Sequence, residues 1–261
     1  MRNYRIFLRK EIIESLKTYK LLIMGAVFLF FGMAAPLTAM FTPEIIKWAM
    51  STDPSLAGMD MSALITEPSA FDSWMQFFSG YVGQMGLFVI VIVFSGMISS
   101  ELSRGTLTIM LSKGLSRTTV VLSKLTNALL IWTFCYIMAS LVAWAYTIYF
   151  FPGEDVPNLL LALFCLWLFG VFLLSLTIFM ATLTKKGFVC MLLVGAVAIT
   201  LMLINMIPQI AKYNPASLIE LPITLTSDPS IPEHTLPVII VAFVSSIAFT
   251  ALAVVIFNRK K

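Results

Sequence analysis

Apolar residues run without a charge through six stretches of the chain, near residues 21–42, 77–100, 125–151, 156–183, 187–208 and 237–258. Each matches the roughly 20 helical residues needed to cross a bilayer core of about 30 Å. The runs are continuous rather than alternating, and too long for the roughly ten-residue strands of a membrane barrel. Only helices and closed barrels satisfy their backbone polar groups in lipid. The pattern therefore predicts an all-α integral membrane protein with six transmembrane helices, forming a single domain over residues 1–261. A basic segment precedes the first run, as in a signal peptide. That run is longer than a signal's apolar core and five more follow, so an uncleaved first helix is expected.

The connecting segments carry their own patterns. Tyr4, Leu8, Ile12 and Leu16 recur every four residues, with Arg2, Arg5, Arg9 and Lys17 away from that stripe. This predicts an amphipathic helix over residues 1–20, lying along a membrane face. It would serve as a basic anchor or as an elbow against which a partner leans. In segment 101–124, Leu107, Met110 and Leu111 form a short apolar face bracketed by Gly105 and Gly114. The glycines permit turns at either end, and Ser116 is placed to cap the next helix. Segment 43–76 is acidic, with Trp48 and a Phe71, Trp74, Phe77, Phe78 cluster suited to the membrane interface. Segment 209–236 holds Pro215, Pro222, Pro229 and Pro232, just before Pro237, which precludes a long helix. A surface loop is the plainer reading there, and broken helices dipping back toward the membrane are the other.

Composition narrows the class. Hydrophobic residues make up 59% and charged residues 11%, and the mean hydropathy is +0.96. Soluble domains run near 45–50% and 25%, so a soluble enzyme, a nucleic-acid-binding module and a disordered chain are excluded. The net charge of +4 matters less than its placement. Fifteen of the 17 basic residues fall on one side of the six-span arrangement, leaving Lys47 and Lys212 on the other, where ten of the 13 acids also lie. Basic residues stay inside, so both termini are expected in the cytoplasm, with 43–76 and 209–236 extracellular. Cys135, Cys165 and Cys190 sit singly in apolar runs and read as buried hydrophobes.

The chain lacks a G-x-x-x-x-G-K-[ST] phosphate loop, an H-E-x-x-H pair and a G-x-S-x-G elbow. His234 is its single histidine, too isolated for a metal or catalytic role. No charge lies within the six runs, and retained intramembrane charges mark proton relays or ion sites. The energy for any uphill movement is thus expected from outside this chain. Gln84, Asn127 and Asn205 are the notable amides in or near the runs, suited either to lining a route or to bonding a neighbouring helix. Small residues four apart (Ser95 with Ser99, Gly96 with Ser100, Ala242 with Ser246 and Thr250) allow close helix approach, within one subunit or between two.

The sequence Glu101-Leu-Ser-Arg104-Gly105-Thr106-Leu107, continued by Leu111-Ser-Lys113-Gly114-Leu-Ser-Arg117 and Lys124 before the next run, resembles the segment between the second and third spans of ABC-2 type ABC transporter permeases. The Lys10-Glu11 pair in an amphipathic tail, the six spans and Tyr213-Asn214-Pro215 also resemble that family, in which proline often stands at the position of Gly114. The resemblance implies the permease subunit of an ATP-driven exporter in a cell membrane, that of a bacterium being expected. It would work with a second permease, identical or homologous, and two cytoplasmic ATPase subunits that bind ATP and Mg; no cofactor is expected in this chain. By position, Glu101, Arg104, Gly105, Thr106, Lys113 and Arg117 would form or frame a coupling helix on the ATPase, and Arg5, Arg9, Lys10 and Glu11 would belong to an elbow helix. A route lined by Phe, Met and Leu suits a hydrophobic or amphipathic cargo such as a peptide, antibiotic or lipid-like drug. Sodium efflux is an alternative within the family, and a non-transporting anchor or sensor that recruits a cytoplasmic ATPase is one outside it.

Overall fold

The computed structural model describes residues 2–52, 67–103, 114–184 and 186–259. Among them secondary structure is entirely helical, and six helices are long and apolar enough to cross a membrane: Lys20–Trp48, Ala70–Ser99, Arg117–Phe150, Leu159–Leu183, Gly187–Asn205 and Thr235–Arg259. An additional amphipathic helix, Arg2–Lys17, precedes them. The architecture is that of a multi-pass membrane protein.

The helices overrun the apolar stretches. The first continues to Thr52 through Pro36 and Pro43, which membrane helices tolerate better than soluble ones. The second begins at Ala70, where Ser69 and Asp72 form a reciprocal capping box that satisfies free N–H groups of the first turn. It continues as a π-helix from Gln76 to Gly86 before returning to α geometry over Leu87–Ser103. This helix starts seven residues before the apolar run and brings Trp74, Phe77 and Phe78 into the core, while Phe71 is partly buried. Trp74, Phe77 and Phe78 are almost wholly buried and pack against one another and Tyr136. The third helix starts at Arg117, capped by Ser116, immediately after Gly114 at φ 90°.

Close approach relies on missing side chains. A Cβ on Gly32 would meet the Ala139 carbonyl oxygen, so spans one and three touch at backbone range, and one on Gly170 would overlap the Trp132 ring, which span three lays against the backbone of span four. Gly187 lies against Gly96 where span five crosses span two. Ala242 and Ser246 are buried within this chain, so their spacing serves packing inside one subunit.

The side opposite the termini is tied by polar links between connections. The Glu154 carboxylate accepts from the Ala70 N–H at 2.6 Å. Asn158 donates to the carbonyls of Leu225, Asp228 and Pro229. Segment 209–236 is more than a surface loop. It forms short helices at Pro208–Ala211, Pro215–Ile219 and Leu221–Ser227, and Leu218, Leu221 and Leu225 are buried in the main core. Pro215 and Pro222 stand in the first turns of two of these helices, where a missing N–H costs nothing, and Pro229 and Pro232 lie between helices.

Candidate functional site

On the terminal side, three elements meet around one ammonium group. The Lys124 side chain is 1% exposed, two turns inside the third helix. It donates to Glu11 of the amphipathic helix at 3.0 Å and pairs with Glu101, at the end of the second helix, at 2.9 Å. The apolar runs carry no charge, yet the helix holding the third span buries one, Lys124, immediately before its apolar run, paired with two carboxylates. Lys10 closes the cluster from the solvent side, 2.6 Å from Glu14, 3.1 Å from Glu11 and 3.6 Å from Glu101.

The local sequence builds this site by placing polar groups on the buried face of the amphipathic helix. Phe7, Glu11 and Ser15 are its buried positions, while Leu16 is 52% exposed. The stripe read at intervals of four therefore differs from the face that packs. The packed positions also repeat every four residues but are offset from the stripe by one residue, about 100° around the helix, so the stripe flanks the contact and Leu16 falls outside it. The third helix meets this face with hydrogen-bonding side chains: Asn127 donates to Ser15 at 2.7 Å, and Thr126 pairs with the Tyr4 hydroxyl at 2.8 Å.

The charges polarise one another. Burial pulls the Lys10 ammonium down, but Glu14, Glu11 and Glu101 outweigh it and raise its pKa above the ordinary lysine value. For Glu14, burial pushes upward and the hydrogen bond from Lys10 prevails, lowering its pKa. Oxygens of Glu11, Glu14 and Glu101 lie within 4.8 Å of one another, a spacing that would suit a divalent cation. The two lysine ammoniums already occupy that role.

Of the residues singled out from sequence, Lys10, Glu11 and Glu101 come together here. Arg5 and Arg9 are exposed on the opposite face of their helix. Arg117 donates to the Phe257 carbonyl at 2.8 Å and lies over the Phe257 ring, closing the end of the sixth span. Arg104, Gly105, Thr106 and Lys113 lie outside the described residues. Asn127 ties two helices, and Asn205 accepts from Ser217 at 2.6 Å and donates to Glu220 at 3.3 Å. Gln84 differs from both: it is exposed, midway along the second span, in an apolar groove of about 520 Å³ between spans two, four and five, beside Phe88, Met191 and Met202. Sequence reasoning had Lys124 in the motif without a task and passed over Glu14. The available signal was an acid at position 11 between the apolar positions 7, 8 and 12, where an amphipathic face should be oily.

Six apolar helices, with a polar cluster joining the amphipathic helix to the ends of spans two and three, define a multi-pass membrane protein. Residues 5–261 match the family described as ABC-2 family transporter protein, and the chain belongs to that family. No curated protein and no solved structure matches it.

Proposed function

We propose that this chain is the permease subunit of an ATP-driven exporter, with both termini in the cytoplasm. It forms the translocation route with a second permease, and two separate ATPase subunits supply the energy. The observation that carries this reading is family membership across almost the whole chain. The absence of a phosphate loop from the sequence agrees with hydrolysis in a partner, where ATP and Mg would bind. Segment 101–124 acts as the coupling element: its two flanks, Glu101 and Lys124, are joined at 2.9 Å, so a push on the segment reaches spans two and three together.

The cargo is hydrophobic or amphipathic. The groove at Gln84 is lined almost entirely by apolar side chains and offers one amide but no charge. A bare sodium ion would need several oxygens to replace its water. Co-expression with an ABC ATPase subunit, sought among the neighbouring reading frames, tests the assignment. The two are expected to co-purify, and Arg104→Glu with Lys113→Glu is expected to abolish the permease's stimulation of ATP hydrolysis. Failure to co-purify, or unchanged stimulation in the variant, overturns the mechanism; stimulation without any ATP-dependent movement of a hydrophobic dye would favour the anchor reading.

A further inference from the structure

We propose that Lys124 is a positioning residue that locks the amphipathic helix Arg2–Lys17 to both flanks of the connecting segment, so that the three elements move as one rigid lever. The inference rests on the permease reading for what pulls the lever, and on the geometry of this chain for the lock itself.

Lys124 pairs with carboxylates from two other elements, at 3.0 and 2.9 Å, while its side chain is 1% exposed. Holding a helix in place does not require this. Well-packed apolar side chains often replace a buried ion pair with no loss of stability. A charge triad instead fixes distance and direction, because a displacement leaves an ammonium or a carboxylate buried without its counter-charge. Three features build the lock around that triad. Lys10 spans Glu14, Glu11 and Glu101 from outside, so the carboxylates that Lys124 shares are held from both ends. Asn127 and Thr126, on the same stretch of the third helix, hold Ser15 and Tyr4. Four tethered positions, 4, 10, 11 and 15, thus cover most of the amphipathic helix, leaving it no axis about which to roll. The exposed arginines Arg5 and Arg9 lie on the free side, which moves wherever the lock takes it.

Spin labels test the lock on the purified chain itself. In a background where Cys135, Cys165 and Cys190 are replaced by alanine, nitroxides are placed at Ile13→Cys and Leu130→Cys, both exposed positions on the two locked helices. The locked chain is expected to give one narrow distance distribution. Lys124→Met is expected to broaden it, and Lys124→Arg, which keeps the charge but not the shape, to broaden it less. In the assembled complex, Lys124→Met is expected to keep its ATPase partner yet lose at least about fivefold of the stimulated ATP hydrolysis, in the range of ordinary coupling energies. An unchanged narrow distribution in Lys124→Met overturns the proposal, as does full stimulation in that variant. If Lys124→Met does not assemble, Lys124→Arg decides: full stimulation with an unbroadened distance overturns the lock. The distance measurement needs no ATPase, so failure of the native chain to bind one would sink the permease reading while leaving the lock to be judged on its own.

Discussion

At the scale of single residues, the chain spends its few charges where removal is most costly. Deleting one member of a buried ionic group strands its partner, at a cost of about 3–5 kcal/mol, whereas replacing the group with apolar residues of similar volume is often neutral. Lys124→Met, which leaves Glu11 and Glu101 with Lys10 only, at 3.1 and 3.6 Å on their outer side, is therefore expected to lower the thermal midpoint in detergent more than Lys124→Met combined with Glu11→Leu and Glu101→Leu. The reverse order would show that the carboxylates reach water and that the cluster is not dry. Close packing supplies a second prediction. A methyl group at Gly170 would overlap the Trp132 ring, which is held by its Nε1 donating to the Trp167 carbonyl at 3.2 Å. Gly170→Ala is expected to cost about 1–3 kcal/mol through overpacking, and Trp132→Phe in the same chain to recover part of it, as a double-mutant cycle on unfolding would read. Neither contact was legible in the sequence. The residue types were visible, but which lysine meets which glutamate depends on how the helices pack, with the Lys124–Glu11 pair 113 positions apart.

At the scale of elements, hydropathy told six spans from their connections, because lipid leaves the backbone no choice but helix. It told less about ends and faces. The second helix begins within a stretch read as extracellular because a capping box, not hydropathy, starts it. The amphipathic helix was legible as a helix, but its packed face was not, because that face carries Glu11 and Ser15 among its apolar residues. Its outer ion pair confers a pH window with a definite sign. Glu14 titrates below its ordinary 4.5 when folded, so its contribution is complete above that value and is lost as pH falls through the lowered one. Lys10 titrates above its ordinary 10.5, so its contribution is complete below 10.5 and is lost as pH rises through the raised value. A nitroxide at Ile13→Cys should accordingly stay immobile between pH 5 and 10 and gain mobility at acid pH. In Glu14→Gln the neutral-pH spectrum should already be more mobile and the acid-side change smaller. An identical acid transition in both chains would assign it to other carboxylates.

At the scale of the whole molecule, burial is uneven in a way that bears on where the proposed second permease or a cargo would sit. Spans two and four are mostly covered within the chain, whereas span five is almost bare, and the groove at Gln84 runs along that bare helix. A glutamine amide facing acyl chains has nothing to bond, and such groups in membranes usually face a protein interior or a water-filled space. The sequence marked Gln84, Asn127 and Asn205 alike; only their surroundings separate two helix ties from one open amide, since an amide's task depends on what lies within 3 Å of it. Gln84→Leu distinguishes the two surroundings. Against lipid, leucine is the better side chain, and the variant should be as stable as the native chain or more so, with transport unchanged. Against a second permease or a cargo, the variant should still fold and still bind the ATPase through the distant terminal side, yet ATP-driven movement of a hydrophobic dye in proteoliposomes should fall or change its cargo preference. Retained folding with altered transport places the route on this face, and wild-type transport in Gln84→Leu removes it from there.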